Sequence, residues 1–226
     1  MTALHRVVDA VYELRRRVNS EETFLRATLR RHVREGARLL DVGCGFGRFH
    51  AIVRDSGWRC IGVDSNPATV ERGRAEGREV FQSAELQAGE QYDAILLAHI
   101  IEHFDTESLL AFLAHYLEML RPGGIVIILT PLMHRGFYDD FDHVKPYNPG
   151  AVRQILCRSA AQVRPFAIPG QYEETDLWIK RDPLWHSYRD RRWNHLFDIP
   201  LTLAAVLSGG LIARTTGYGM VLRRIA

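Results

Sequence analysis

The side chains in this sequence that could do chemistry are a glycine run with two aspartates, and three histidines. Asp41 is followed by Gly43, Gly45 and Gly47 within residues 38–49, RLLDVGCGFGRF. Glycines at alternate positions permit positive φ and let the backbone approach a small molecule closely. A helix starting behind them presents unpaired N–H groups. Asp64, with Ser65 beside it, ends the apolar run WRCIGV twenty-three residues after Asp41. A carboxylate has two acceptor oxygens, enough for both hydroxyls of a ribose. The separation suits one βαβ unit. The other reading of Asp64 is a turn residue capping the helix that follows Pro67. His99 and His103 follow the apolar run 94–98, and His143 stands in a loop rich in aspartates and aromatics. A histidine titrates at about 6.5 and can take a hydroxyl proton near neutrality. His103 could instead be structural, bonded to the backbone.

The elements that must position these groups are legible from periodicity. Residues 3 to about 34 read as helical, with Leu4, Val7, Val8, Val11, Leu14 and Val18 at helical spacing and Asn19 or Ser20 as cap of a second helix. Strands are expected at 39–42, 58–63, 78–82, 94–98 and 125–129, with helices at 49–56, 68–77 and from Thr106 to Leu120 between them. Gly57 and the Arg121-Pro122-Gly123-Gly124 run are stops. Ile125-Val126-Ile127-Ile128-Leu129 has the β-branched richness of a central parallel strand. Strands alternating with helices predict an α/β fold, a parallel sheet with helices on both faces. Ligands then bind beyond the carboxyl ends of the strands, where all the residues named above fall. A helix at 149–159 and strands at 162–168 and 218–225 complete the pattern.

The glycine spacing decides between cofactors. A dinucleotide fingerprint needs G-x-G-x-x-G/A, and counted from Gly43 its third small residue falls on Arg48. The string D-x-G-x-G-x-G instead resembles motif I of the class I S-adenosylmethionine-dependent methyltransferases. YDAILLAHIIEHF resembles the segment at the end of strand four in a subgroup of them, which includes quinone-biosynthesis, natural-product and sugar methyltransferases. LRPGGIVIILTP resembles motif III, and DFDHVKPYNPG the segment after strand five. The resemblance implies S-adenosyl-L-methionine as cosubstrate. It implies Asp41, Gly43, Gly45 and Gly47 at the methionine end, Asp64 with Ser65 at the ribose, Glu85 at the adenine amino group and His99 lining the pocket near the methyl group. It places His143 near the acceptor, so His143 is the first choice of general base and His103 the second. Asp142 could orient His143 or a substrate hydroxyl, Tyr138 and Tyr147 could stack on a ring, and Glu102 is read as orienting a loop. The family also implies a Rossmann-like, doubly wound, seven-stranded, mostly parallel sheet with an antiparallel last strand. N-terminal helices (1–34) would cover the site, and a helical insertion (170–217) would precede the last strand.

Bulk properties bound the rest. The 226 residues suit a single domain, 46% apolar and 25% charged, both ordinary values. A net charge of +2 gives no reason to expect nucleic acid. Cys44, Cys60 and Cys157 are scattered, so neither a zinc site nor a disulfide framework is expected, and a reducing cytoplasm fits best. No resident metal is expected either, because Glu102, His103, Asp142 and His143 have no compact ligand spacing. The segment 178–213 mixes tryptophans and arginines with the apolar IPLTLAAVLSGGLIA. It reads as a lid, a dimer contact or a peripheral membrane contact. The expected function is O-methylation of a small molecule, sugar or lipid-linked precursor. The alternatives are an NAD- or nucleotide-sugar-dependent oxidoreductase and a non-catalytic partner-binding subunit of the same fold.

Overall fold

The strand Tyr92–Ala98 shows how the sheet is built. Ile95 and Leu97 point to one face and Ala94, Leu96 and Ala98 to the other, all buried. That is the period of two expected of a strand covered on both sides. The computed structural model describes residues 19–86, 89–158, 167–183 and 195–225, with positions 10 and 13. Its strands are β1 (Arg38–Val42), β2 (Arg59–Asp64), β3 (Val80–Gln82), β4 (Tyr92–Ala98), β5 (Leu120–Pro131), β6 (Tyr172–Asp182) and β7 (Arg214–Arg224). Its helices are α1 (Glu21–His32), α2 (His50–Arg54), α3 (Pro67–Ala75), α4 (Thr106–Leu117), α5 (Pro149–Leu156) and α6 (His195–Leu207).

The strands form one sheet in the order β3-β2-β1-β4-β5-β7-β6. β1 to β5 pair in parallel, and β7 runs antiparallel between β5 and β6. One face carries Leu40, Val42, Ile61, Ile95, Leu97 and Ile128 against Leu109, Leu113 and Tyr116 of α4 and Val152 and Leu156 of α5. The other carries Leu39, Cys60, Leu96, Ile127 and Leu129 against Leu25 and Leu29 of α1 and Ile52 and Val53 of α2. The chain order reverses at β1, whose neighbours are β2 and β4, and the crevice beyond that switch point is where a doubly wound sheet binds ligands.

Capping chemistry sets the helix starts. Ser20 accepts from the Thr23 N–H at the head of α1, while Asn19 turns away and donates to the Arg181 carbonyl, 2.6 Å. Asn66 caps α3 ahead of Pro67, and Asp105 accepts from the Glu107 and Ser108 N–H groups at α4.

Two expectations change, and two more fall largely outside the described residues. The sixth strand is Tyr172–Asp182, so the stretch 170–217 is not helical throughout, and only α6 is described as helix within it. β6 escapes sequence reading because it is a charged edge strand with register breaks at Glu174/Asp176 and Lys180/Arg181. The strand expected at 162–168 falls mostly outside the described residues, and Ala167 and Ile168 are not in a strand. The helix expected at 3–18 also falls outside them, except for positions 10 and 13, which are helical. Finally, α1 is more than a cover: Leu25 and Leu29 are fully buried against the sheet.

Candidate active site

The chain leaves β1 through a loop that folds down on the end of β2. Gly43, Gly45 and Gly47 have φ of 69°, 50° and 77°. The N–H groups of Gly43 and Cys44 donate to the Val63 carbonyl at 2.8 and 3.1 Å, and that of Gly45 donates to Asp64 Oδ2 at 2.9 Å. Asp64 Oδ1 accepts from the Asn66 N–H, 2.9 Å. Both oxygens are thereby oriented by main chain, and each keeps a lone pair. A Cβ at Gly43 would lie 2.3 Å from Ile100 Cδ1, and one at Gly47 only 2.0 Å from Arg78 Nη1. A Cβ at Gly45 would meet no heavy atom nearer than 4.0 Å, so the loop is open on that side.

Asp41 is 2% exposed, and its Oδ2 is buried without a hydrogen-bond partner. Burial, reinforced by the neighbouring Asp64 charge and only partly offset by Arg78, pushes its carboxyl up to about 7. An orphaned buried carboxylate oxygen beneath a glycine cradle fits a ligand that brings its own positive charge or donor. Ser65 is exposed beside Asp64. Glu85 is already engaged: its Oε2 accepts from Arg74 Nη2 and from the Gln82 N–H.

The ends of β4 and β5 carry the second half of the site. His99 has φ 54°, a strained setting for a residue with a side chain, and donates its N–H to the Leu129 carbonyl. Its Nε2 is 3.1 Å from Glu21 Oε2 and its Nδ1 3.4 Å from Glu102 Oε1. Burial disfavours the imidazolium, but the two carboxylates outweigh it and raise His99 to about 9. Glu21, the first residue of α1, is 3% exposed and also meets Lys180 Nζ at 2.8 Å and Arg48 Nη1 at 2.9 Å. Burial pushes its carboxyl up, yet His99 and Lys180 hold it far below the ordinary range. One carboxylate thus joins α1, the glycine loop, β4 and β6.

Glu102 is fully buried. Its Oε2 accepts from Thr130 Oγ1, 3.0 Å, while Oε1 has no hydrogen-bond partner. Its main-chain carbonyl accepts from the Val144 and Lys145 N–H groups at 2.9 and 3.1 Å, which ties the loop after β5 to the end of β4. The main-chain carbonyl makes this tie, while the carboxylate itself meets Thr130 and His99. His103 Nδ1 donates to the Asp142 carbonyl, 3.0 Å, and His143 Nδ1 to the Phe137 carbonyl, 2.6 Å. A carbonyl only accepts, so each ring carries its proton on Nδ1 and, when neutral, leaves Nε2 as an acceptor. The two ring centroids are 5.0 Å apart. Glu102, His103 and His143 each offer a donor atom within 4.8 Å of the others. The fold therefore assembles three of the four residues whose spacing gave no sign of a metal site. The fourth, Asp142, supplies only its main chain to His103, and the carboxylate near His143 is that of Asp140, 3.8 Å from Nε2.

A cavity of about 410 Å³ is lined by Glu21, His99, His103, Asp140, His143 and Lys180 among others. Tyr138 is 59% exposed. Tyr147 is buried in the core with its hydroxyl on the Phe104 carbonyl, so it cannot stack on a ligand ring. Sequence reasoning missed Glu21, Arg48 and Lys180. Glu21 looks like any acidic first-turn residue answering a helix dipole, and nothing local announces its partners.

A family model described as a methyltransferase domain matches residues 13–199. The chain belongs to this methyltransferase family. Curated relatives include ubiquinone biosynthesis O-methyltransferases from Sinorhizobium medicae, 34% identical over 48% of this chain and 47% of that protein, and from Cereibacter sphaeroides, 32% identical over 42% of each. The match spans under half the length of these relatives. Among solved structures, a SAM dependent methyltransferase from Archaeoglobus fulgidus aligns with TM-score 0.59 at 17% identity, covering 94% of this chain and 99% of that one. A Burkholderia thailandensis 1,6-didemethyltoxoflavin-N1-methyltransferase aligns with TM-score 0.57 at 16% identity, covering 100% and 92%. At such identities the likeness is one of fold. In this methyltransferase the sheet order and the antiparallel β7 agree with the Rossmann-like methyltransferase architecture.

Proposed function

We propose that this chain is an S-adenosylmethionine-dependent methyltransferase that methylates a hydroxyl oxygen of a small-molecule acceptor. The observation that carries the acceptor atom is the histidine pair: His103 and His143 face one cavity, each with Nδ1 committed to a carbonyl and Nε2 left to accept a proton. When bound, the cosubstrate supplies an electrophilic methyl group on a sulfonium centre. The chain supplies position and a base. Asp41 and the glycine loop receive the methionine end, and Asp64 receives the ribose hydroxyls. The hydroxyl proton passes to Nε2 of His143, our first choice, with His103 next to it. Among the described residues no helix is long and apolar enough to cross a membrane. The O-methyltransferase names of the relatives support the acceptor atom, over the part of the chain they share. The glycine spacing, with Arg48 where a dinucleotide loop needs a small residue, argues against an NAD-dependent reading, and so do the methyltransferase names of the relatives.

The test is methyl transfer from labelled S-adenosylmethionine to a panel of small-molecule alcohols and phenols. His143→Ala is expected to lower the rate about 10²- to 10⁴-fold while S-adenosylhomocysteine binding stays unchanged. Near-normal turnover in both His143→Ala and His103→Ala would exclude an imidazole base.

A second reading is favoured by the buried Glu102 carboxylate, which offers an oxygen within 4.8 Å of a ring nitrogen of both His103 and His143. Those three residues suit a divalent cation, and the Nδ1–carbonyl bonds would hold each ring in the tautomer and orientation that a metal ligand needs. Turnover abolished by a chelator and restored by added Mn²⁺ or Zn²⁺ would select it. Turnover indifferent to chelation would leave the free imidazole as base.

A further inference from the structure

Asp41, Gly62 and Val80 are register partners in β1, β2 and β3 and share one face of the sheet. Gly62 adds no side chain to that row: a Cβ there would lie 2.8 Å from Cys44 Sγ and 3.3 Å from Val80 Cγ2. Arg78 stands two residues before Val80. A Cβ at Gly47 would meet Arg78 Nη1 at 2.0 Å, Cζ at 2.8 Å and Cδ at 3.2 Å, so the main chain of the glycine loop lies directly against the guanidinium and its stem. Gly73 of α3 leaves room in the same way, a Cβ there lying 3.6 Å from Cζ.

The Arg78 side chain is 8% exposed. Its main-chain N–H donates to the Gly73 carbonyl at 2.9 Å, and Nη2 donates to Glu76 Oε2 at 2.8 Å. Nε and Nη1 are buried with no hydrogen-bond partner, as is Asp41 Oδ2. Two opposite charges, both buried and both short of a partner, thus stand at one loop. A guanidinium keeps its charge at every working pH, and an opposite charge nearby favours the ionised form of a carboxyl. Burial and Asp64 push the Asp41 carboxyl up, and Arg78 opposes them. The Cys44 and Cys60 thiols beside Asp41 are pushed up by burial and stay neutral. His50 of α2 is held down by burial and by Arg78, so it brings no competing cation. We propose that Arg78 is a positioning residue of the cosubstrate site, bearing the Gly47 end of the glycine loop and keeping Asp41 charged for the ammonium group of the methionine end. The inference rests on the reading of Asp41 given above and adds a residue that touches no ligand.

The test uses the full chain and two readouts. One is the Asp41 titration midpoint by carboxyl carbon NMR without ligand; the other is S-adenosylhomocysteine affinity by calorimetry from about pH 6 to about pH 9.5. Arg78→Met keeps the stem and removes the charge. It should raise the Asp41 midpoint from about 7 to about 8. Only an ionised Asp41 pairs with an ammonium group, so the variant should bind about tenfold more weakly than the wild type at about pH 6, with the gap closing by about pH 9.5. Arg78→Lys should fall between the two. Glu76 is exposed, and Glu76→Gln removes the carboxylate that shares Arg78, so it should move the midpoint the opposite way, downward. A midpoint unmoved by Glu76→Gln and by whichever Arg78 variant folds overturns the proposal. A loss of affinity in Arg78→Met that is equal at every pH also overturns it, since a purely structural role would give that result. A wild type that binds no S-adenosylhomocysteine, with an Asp41 midpoint that still follows Arg78, would sink the cosubstrate reading and the positioning role with it.

Discussion

Asp41 is the residue whose replacement should separate stability from ligand binding. In the free protein its carboxylate is buried, its Oδ2 has no partner, and Asp64 adds a like charge, so the group ionises only at about 7 against an ordinary 3.8. A carboxyl whose folded value is raised stabilises most below the unfolded value, and that contribution is lost as pH rises through the folded value. The window here is therefore from about pH 4 to about pH 7. A tenfold change in an acid's ionisation constant corresponds to about 1.4 kcal/mol. Between pH 5 and pH 8 the wild type should thus lose about 2–3 kcal/mol of stability relative to Asp41→Asn, which cannot ionise. Urea unfolding of both proteins at the two pH values, without ligand, measures this difference directly. Affinity for S-adenosylhomocysteine should move the other way. A hydrogen bond to a charged group contributes about 1.5–3 kcal/mol, so Asp41→Asn should bind it about tenfold or more weakly at pH 8. A stability difference that stays constant between pH 5 and pH 8 would refute the account of Asp41 as a carboxylate held in an unfavourable setting for the sake of a ligand.

Glu21→Gln should cost about 3–5 kcal/mol, because it leaves His99, Lys180 and Arg48 facing a neutral amide. NMR titration should then find His99 below its wild-type value of about 9. The wild-type contribution of the raised His99 is full below about 6.5 and disappears as pH rises through about 9, so the gap between variant and wild type should narrow at alkaline pH in thermal melts. Gly47→Ala must place a methyl 2.0 Å from Arg78 Nη1 at a φ of +77°. It should lower S-adenosylhomocysteine affinity about tenfold or more, at a stability cost of about 1–3 kcal/mol, by calorimetry and melting. Leu25→Ala should cost about 2–5 kcal/mol, since α1 is part of the core and not a detachable cover; a loss below about 1 kcal/mol by urea unfolding would say otherwise.

The parts of this molecule that a sequence declares are those whose physics is local. A strand, a glycine turn and a helix follow one another within residues 38–54, so the cradle and Asp41 could be read directly. Asp64 was legible because a βαβ unit has a fixed length. β6 was not, because an edge strand need not alternate apolar and polar residues. Glu21 was not, because its three cationic partners stand in other elements, Lys180 being 159 residues away. The convergence of Glu102, His103 and His143 depends on two main-chain hydrogen bonds to the Glu102 carbonyl, which any pair of non-proline residues could make. Asp142 meets His103 through its main-chain carbonyl, a contact that side-chain identity does not announce.

Those two bonds have an evolutionary consequence. The loop after β5 is fastened to the end of β4 by the Val144 and Lys145 amides, which carry no side-chain identity. Its exposed residues, Met133, Tyr138 and Phe141 among them, are free to change without loosening the mooring or shifting His143 relative to His103. The surface of this one loop can therefore be varied by point substitutions, while the glycine loop and the His103–His143 pair are inherited intact.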